Sequence, residues 1–176
     1  MRGARRRSRA NQLKGTRARM NRKYLFTSAS LLAVAVVVVL GYQKRVPKSP
    51  EEDKNVAAVR AVIESQAAAW NRGDIEGYME GYAKEDATEF VSGDTIMRGW
   101  QAVLERYKAR YDSRAKMGAL TFSELEIKPL SYYYIMATGR WQLARDADAP
   151  HGRFTLIFRR TPAGWRIVHD HTSSAS

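Results

Sequence analysis

Apolar and polar residues after position 49 alternate in a pattern that predicts three helices and six strands. Ser49-Pro50-Glu51-Glu52 predicts a helix start, because an N-cap Ser with a Glu three residues later forms a capping box and Pro suits the first helical position. The following helix carries one inward side at helical spacing. That side consists of Val59, Val62, Ile63, Gln66 and Trp70.

Two more helices are predicted after the first one ends at Asn71-Arg72-Gly73. Asp74 is suited to cap a second, shorter helix. The inward side of that helix consists of Ile75, Tyr78, Met79 and Tyr82. A third amphipathic helix presents Trp100, Val103, Leu104, Tyr107 and Tyr111.

The strands fall into a short pair and a long run. Residues 89–91 and 95–98 predict two short strands joined by Ser92-Gly93-Asp94. Longer strands are predicted over residues 119–130, 132–145, 153–160 and 164–173. In the first of these, the apolar alternation changes phase near Ser123 and Glu124, which predicts a β-bulge there.

The last strand ends in two of the three histidines. Side chains alternate across a strand, so the pattern places His169 and His171 on the same face as Trp165 and Ile167. Asp170 is then expected on the opposite face. A face that runs from apolar residues into imidazoles is typical of a strand that enters a pocket.

Helices followed by a run of antiparallel strands indicate the α+β class. We expect a cone-shaped, curved antiparallel sheet packed on three N-terminal helices and preceded by one transmembrane helix. The predicted divisions are a basic cytosolic tail (1–23), a transmembrane signal anchor (24–42), a linker (43–50) and the folded domain (51–176).

The membrane prediction rests on residues 24–42, which are uncharged and mostly apolar. As a helix they span about 28 Å, close to the roughly 30 Å hydrocarbon core. Ten basic residues precede this segment and only Lys44 and Arg45 follow at once, so the C-terminal domain is expected outside the inner (cytoplasmic) membrane. Two alternatives stay open: the segment is a cleaved signal peptide and the domain is secreted, or the chain starts at Met20.

The net charge of +12 belongs to the N-terminus. Residues 1–45 hold 12 Lys and Arg and no acidic residue, whereas the remainder holds 18 of each sign. The folded domain therefore lacks the basic signature of nucleic-acid binders. With no Cys in the chain, disulfides, thiolate catalysis and zinc–thiolate sites are excluded.

Two stretches carry a family resemblance: residues 69–74 (Ala-Trp-Asn-Arg-Gly-Asp) and residues 164–173 (Gly-Trp-Arg-Ile-Val-His-Asp-His-Thr-Ser). Over about residues 51–175 the chain resembles the nuclear transport factor 2-like superfamily. Within it, the SnoaL-like and calcium/calmodulin-dependent kinase association-domain-like branch is most similar. The resemblance implies a curved sheet around helices, frequent homodimers and an apolar pocket. It does not imply one function, because members include isomerases, polyketide cyclases, dehydratases, transport adaptors and kinase assembly hubs.

The ketosteroid isomerases of this superfamily offer a residue-level comparison. The position of their oxyanion-binding Tyr is Gln66 here, and the position of their general-base Asp falls in Phe90-Val91-Ser92. An amide and an apolar side chain do not replace a strong proton donor and a carboxylate. The resemblance therefore disfavours that isomerase chemistry.

His169 and His171 are the candidate catalytic residues, because imidazole titrates near neutral pH. They are alternatively hydrogen-bonding groups at the pocket mouth. A metal site needs a third ligand, and the remaining histidine, His151, lies in a predicted loop. No metal and no cofactor is therefore predicted. The candidate ligand-binding residues are Trp70, Tyr78, Tyr82, Trp100, Phe122 and Trp141, with packing in the core as the alternative.

We expect a membrane-anchored, extracytoplasmic domain that binds a small, partly apolar ligand in a conical pocket and forms a homodimer. The expected dimer surface is the outer sheet face of Arg140, Gln142, Thr155, Ile157, Arg166 and Val168. One alternative is an acid/base enzyme of isomerase, cyclase or hydratase type that uses His169 or His171. Another is a protein-assembly scaffold of an envelope complex, in which side chains fill the pocket.

Overall fold

The computed structural model describes residues 49–175, which form four helices and six strands. The helices are α1 (Pro50–Asn71), α2 (Ile75–Met79), α3 (Trp100–Arg110) and α4 (Arg114–Met117). The strands are β1 (Glu89–Ser92), β2 (Thr95–Arg98), β3 (Ala119–Pro129), β4 (Tyr134–Ala144), β5 (His151–Thr161) and β6 (Gly164–Thr172). The short helix α4 is the one element that the sequence pattern did not predict.

Local signals set the ends of the first two helices. The Ser49 hydroxyl accepts a hydrogen bond from the Glu52 amide at 3.1 Å, and the Ser49 amide donates to the Glu52 carboxylate at 2.9 Å. This confirms the capping box. After α1, Gly73 has a φ of +86°, and the Asp74 side chain accepts a hydrogen bond from the Gly77 amide at 2.7 Å. Asp74 therefore caps α2 as predicted.

The six strands form one sheet in the order β2-β1-β6-β5-β4-β3. Every pairing is antiparallel except that of β1 with β6, which is parallel. The expectation of a wholly antiparallel sheet is therefore wrong at this pair. In the chain, β1 and β6 are separated by β2, α3, α4 and the strands β3 to β5, so no tight turn forces the two strands to run in opposite directions.

The curved sheet folds around the helices in a cone-like α+β arrangement. The bulge in β3 is confirmed: the register with β4 shifts between Ser123 and Glu126, and Glu124 has a positive φ of 52°. Asn71, the last residue of α1, is joined to the start of β3 at Leu120. Its side chain donates to the Leu120 carbonyl at 3.0 Å and accepts from the Leu120 amide at 2.7 Å.

One continuous apolar core fills the space between the helices and the sheet. It takes Val59, Ile63 and Trp70 from α1 and Phe158 and Ile167 from β5 and β6. At roughly 1.5–3 kcal/mol for each large apolar side chain removed from water, this core is the main favourable contribution to folding. It also holds the cavity walls in place.

The tail (1–23), the transmembrane segment (24–42) and nearly all of the linker (43–50) lie outside the described residues. Over residues 49–175 no helix combines the length and apolar character needed to cross a bilayer.

Candidate functional site

A cavity lies between the helices and the sheet. Its volume is about 80 Å³. Since about 10–15 Å³ is enough to hold one water molecule, the space suits a molecule about the size of one aromatic ring with a short side arm. Its walls include Trp70, Tyr78, Tyr82, Phe90, Tyr107, Tyr111, Leu120, Phe122, Trp141, Leu143, Phe154, Leu156 and Ile167.

A bulge in β6 decides which polar groups reach this cavity. Ile157 of β5 pairs with His169 and the next residue, Phe158, pairs with Ile167, so Val168 is an extra residue in β6. The alternation therefore changes phase. Trp165 and Ile167 point inward, and so does Asp170, which is 3% exposed.

The expected face of the last strand is thus wrong beyond Ile167. Asp170 and Thr172 line the cavity, whereas His169 and His171 do not. His169 is half-buried on the other side of the strand, where its Nδ1 lies 3.2 Å from a carboxylate oxygen of Glu89. His171 is exposed. Their assignment as catalytic residues stays a prediction, and no contact with the cavity supports it.

Asp170 accepts two short hydrogen bonds inside the cavity. The Tyr82 hydroxyl donates to one carboxylate oxygen at 2.6 Å, and the Thr172 hydroxyl donates to the other at 2.7 Å. Burial raises the pKa of Asp170, and the two donated bonds oppose that rise. A buried carboxyl in an apolar cavity is typical of a group that binds or moves a proton.

The hydrogen bonds continue from Asp170 to a second tyrosine. The hydroxyls of Tyr82 and Tyr107 lie 3.4 Å apart. While Asp170 is ionised, Tyr82 uses its single proton on that carboxylate, so Tyr107 is the donor in this contact. The Tyr107 oxygen is then left with acceptor capacity only, and it lies in the cavity wall. While Asp170 is ionised, this end of the cavity therefore favours a ligand group that donates a hydrogen bond.

The three tyrosines of this region are held in the neutral form. Burial, followed by the charge of Asp170, raises the pKa values of Tyr78 and Tyr82. Burial also raises the pKa of Tyr107, followed by its interactions with Tyr78 and Asp170. These phenols therefore act as hydrogen-bond donors and acceptors near neutral pH, not as phenolates.

The predicted ligand-binding aromatics separate into two groups. Trp70, Tyr78, Tyr82, Phe122 and Trp141 all line the cavity. Trp100 does not line it: its indole donates to the Met79 carbonyl at 3.0 Å, and the Lys84 ammonium lies 5.1 Å from its ring. Binding of a ligand by the five lining residues stays a prediction.

Several residues that line the cavity were not predicted as site residues from the sequence. Tyr107 was predicted only as a helix core residue, and Asp170 was placed on the wrong face. Gln66, which the family resemblance matches to the isomerase tyrosine, donates from its amide to the Tyr78 carbonyl at 3.0 Å and so joins α1 to α2. The cavity hydroxyls come from other positions instead.

Two basic residues also line the cavity. Arg106 is half-buried and Arg110 is exposed, and both belong to α3. Their spacing of four residues places them on one side of that helix. The cavity thus combines apolar walls with a buried carboxyl–hydroxyl cluster (Asp170, Tyr82, Tyr107 and Thr172) and positive charge. Within residues 49–175 no group of three or more His, Asp or Glu side chains is placed to hold a metal ion.

Comparisons with known proteins agree on the fold. Over 66% of its length this chain is 37% identical to a nuclear transport factor 2-like protein of unknown function from Shewanella oneidensis MR-1, covering 97% of that protein with a TM-score of 0.64. A nuclear transport factor 2-like superfamily protein from Salmonella enterica serovar Typhimurium is 18% identical, with 70% of this chain and 93% of that one covered and a TM-score of 0.58.

A ketosteroid isomerase-like protein from Erwinia carotovora atroseptica is 17% identical, with 69% of this chain and 96% of that one covered and a TM-score of 0.56. No curated protein matches the chain. The SnoaL-like domain profile matches residues 59–176. This match takes in most of the described domain, including every strand and the cavity. The chain therefore belongs to the SnoaL-like domain family within the nuclear transport factor 2-like superfamily.

Proposed function

We propose that this domain binds a small, partly apolar ligand in the cavity between its helices and its sheet. The observation that carries the proposal is the cavity itself, whose aromatic walls surround a buried cluster of polar groups. Small-molecule sites combine mostly apolar walls with a few convergent polar groups in this way. Burying a carboxylate costs free energy, so a buried carboxyl is not expected in a cavity that results from packing alone.

The aromatic walls define the body of the ligand. Trp70 meets Tyr78 and Tyr111 edge-on, with ring centroids 5.2 Å and 4.6 Å away, so these rings brace one another. The Trp70 indole also donates to the Met117 carbonyl at 3.2 Å, which fixes the ring. A wall that is already rigid loses little entropy on binding, and its aromatic rings favour an apolar ligand body.

A cavity-filling substitution tests the proposal. Leu156 is buried in β5 and lines the cavity, so Leu156→Trp places an indole in the space that the ligand would take. The matched control is Thr121→Trp, on an exposed position of β3 outside the cavity. Binding of two probes, 3-(4-fluorophenyl)propanoate and its neutral amide, is followed by ¹⁹F NMR with the full chain in lipid nanodiscs.

We expect at least one probe to bind the wild type and the Thr121→Trp variant, and to lose about tenfold or more in affinity in Leu156→Trp. If neither probe binds the wild type, or if both bind Leu156→Trp as well as the wild type, the cavity is not the binding site. Thermal unfolding of each variant shows that it is folded, since overpacking a core costs roughly 1–3 kcal/mol.

The buried carboxyl favours a second function, proton transfer to or from the bound ligand. Asp170 has the burial and the raised pKa of a general acid or base, and Tyr82 connects it to Tyr107 in the cavity wall. The assay is exchange of the α-protons of a small aryl ketone for deuterium. Asp170→Asn is expected to slow any catalysed exchange by about 10²–10⁴-fold. Equal rates in the two proteins would exclude Asp170 as the acid or base.

Two parts of the proposal rest on the sequence. We propose that residues 24–42 anchor the chain in the inner membrane with the domain outside. Protease added to the outer side of intact spheroplasts tests this proposal, because it cleaves the domain only if the domain lies outside.

We also propose a homodimer through the outer sheet face. Arg140, Thr155, Ile157, Arg166 and Val168 are half-buried on that face and Gln142 is exposed. A sedimentation mass equal to that of a single chain would contradict the dimer.

A further inference from the structure

One side of the cavity carries positive charge from helix α3. Helix α3 carries three basic side chains, Arg106, Lys108 and Arg110. Lys108 forms an ion pair with Glu76 at 2.8 Å and does not line the cavity. In the part of the chain that the structure describes, neither Arg106 nor Arg110 has a carboxylate within ion-pair distance. Within the described residues, the cation of α3 that does not line the cavity is therefore paired, and the two that line it are not.

Both guanidinium groups are positioned without being neutralised. The Arg106 guanidinium lies over the Phe90 ring, 4.7 Å from its centroid. Arg110 lies 5.8 Å from the centroid of Tyr111. Phe90 and Tyr111 are themselves lining residues. Stacking on an aromatic face holds a guanidinium in place but leaves its N–H donors available.

Asp170 does not supply the missing negative charge. Among the described residues that line the cavity, it is the one acidic residue. It takes its hydrogen bonds from Tyr82 and Thr172, and within residues 49–175 it has no ion pair with either arginine. The two charges therefore serve different parts of the cavity, the carboxyl inside and the guanidinium groups at its more exposed side.

We infer that the ligand is a small organic carboxylate, whose apolar body lies among the aromatic rings and whose carboxylate is bound by Arg106 and Arg110. This inference rests on the proposed function, because it names the class of molecule that the cavity takes. A guanidinium binds a carboxylate through two parallel N–H bonds, which makes arginine well suited to this anion. The limited space favours a monocarboxylate with a single ring over a larger acid. A hydroxyl or amine on that ring meets the acceptor oxygen of Tyr107.

The test compares the propanoate and the amide introduced above, which have the same ring and linker and differ in charge. With the full chain in nanodiscs, we expect the propanoate to bind about tenfold or more tightly than the amide. Arg106→Gln is expected to weaken the propanoate about tenfold, because glutamine keeps an amide donor but loses the charge and the paired N–H donors, and to change the amide by less than about twofold. Arg110→Gln acts in the same direction with a smaller effect, because this side chain is more exposed.

Lys108→Gln is the matched control, since it removes one positive charge from the same helix outside the cavity. It is expected to leave both affinities unchanged. Arg106→Lys keeps the charge but loses the paired donors, so it is expected to recover only part of the affinity. If Arg106→Gln does not fold, Arg110→Gln decides the comparison.

Three results would overturn the inference. If the propanoate and the amide bind equally well and Leu156→Trp removes both, the cavity binds ligands but does not select an anion. If Lys108→Gln weakens the propanoate as much as Arg106→Gln does, general attraction by positive charge explains the binding. If neither probe binds the wild type, the proposed function fails together with the inference.

Discussion

The hydrogen bond between Tyr82 and Asp170 gives the sharpest stability prediction. Tyr82→Phe keeps the ring in the core and removes only the hydroxyl, which donates to the carboxylate at 2.6 Å. The contact of that hydroxyl with Tyr107 is long, at 3.4 Å, and contributes little. Hydrogen bonds to charged groups contribute about 1.5–3 kcal/mol and those between neutral groups about 0.5–1.5 kcal/mol. We therefore expect Tyr82→Phe to lower the free energy of unfolding by about 2 kcal/mol while Asp170 is ionised, and by about 1 kcal/mol while it is protonated.

The pH at which the cost changes follows from the pKa of Asp170. Burial raises that pKa, and the Tyr82 hydrogen bond opposes the rise, so Tyr82→Phe raises it further. A carboxyl with a raised folded-state pKa stabilises the fold fully below its unfolded pKa of about 3.9, and this contribution is lost as pH rises through the folded-state pKa. The loss in free energy of unfolding caused by Tyr82→Phe is therefore expected to grow as pH rises through the raised folded-state pKa of Asp170.

A double-mutant cycle with Asp170→Asn isolates the interaction. An asparagine oxygen accepts the same bond without a charge, so Tyr82→Phe is expected to cost only about 1 kcal/mol in that background at every pH.

The assay is urea unfolding of the fragment 46–176, followed by circular dichroism between about pH 4 and pH 8. Tyr134→Phe, at an exposed tyrosine, is the control and is expected to change stability by less than about 0.5 kcal/mol. Equal costs of Tyr82→Phe at both ends of the pH range, with no coupling to Asp170→Asn, would refute the reasoning.

Two further predictions concern Asp170 and Asn71. The wild type is expected to lose stability relative to Asp170→Asn as pH rises through the raised Asp170 pKa, and parallel pH curves for the two proteins would contradict the burial argument. Asn71→Ala removes both hydrogen bonds between α1 and Leu120, so it is expected to cost about 2 kcal/mol in urea unfolding and to speed hydrogen exchange at the Leu120 amide. Glu64→Ala, exposed on the same helix, is its control, and similar losses in the two variants would argue against this role of Asn71.

The features that were predicted correctly depend on neighbours in the sequence. The capping box at Ser49 needs only Glu52, and the cap at Asp74 needs only the next helical turn. The bulge in β3 was visible because apolar residues mark one face on both sides of the phase change, from Phe122 to Leu125. In each case the signal and the structure lie within a few residues of each other.

The bulge in β6 had no such signal. Trp165, Ile167, His169 and His171 alternate without a break, and Val168, the extra residue, is a normal strand residue. The phase change became apparent only when β6 paired with β5, where Ile157 meets His169 and Phe158 meets Ile167. The same change places Asp170 among hydroxyls from Tyr82 and Tyr107, which are 88 and 63 positions away in the chain.

The sequence by itself determined three of the four helices, most strand positions, most of the apolar faces and, through its family resemblance, the superfamily. These follow from periodicity, caps and turns, which act over one or two turns of chain. Only the tertiary structure decided that β1 runs parallel to β6, that Asp170 rather than the histidines enters the cavity, and that two arginines of α3 border it. Strand pairing and cavity lining bring together residues far apart in the chain, and the free energy of burying a carboxyl depends on which distant donors meet it.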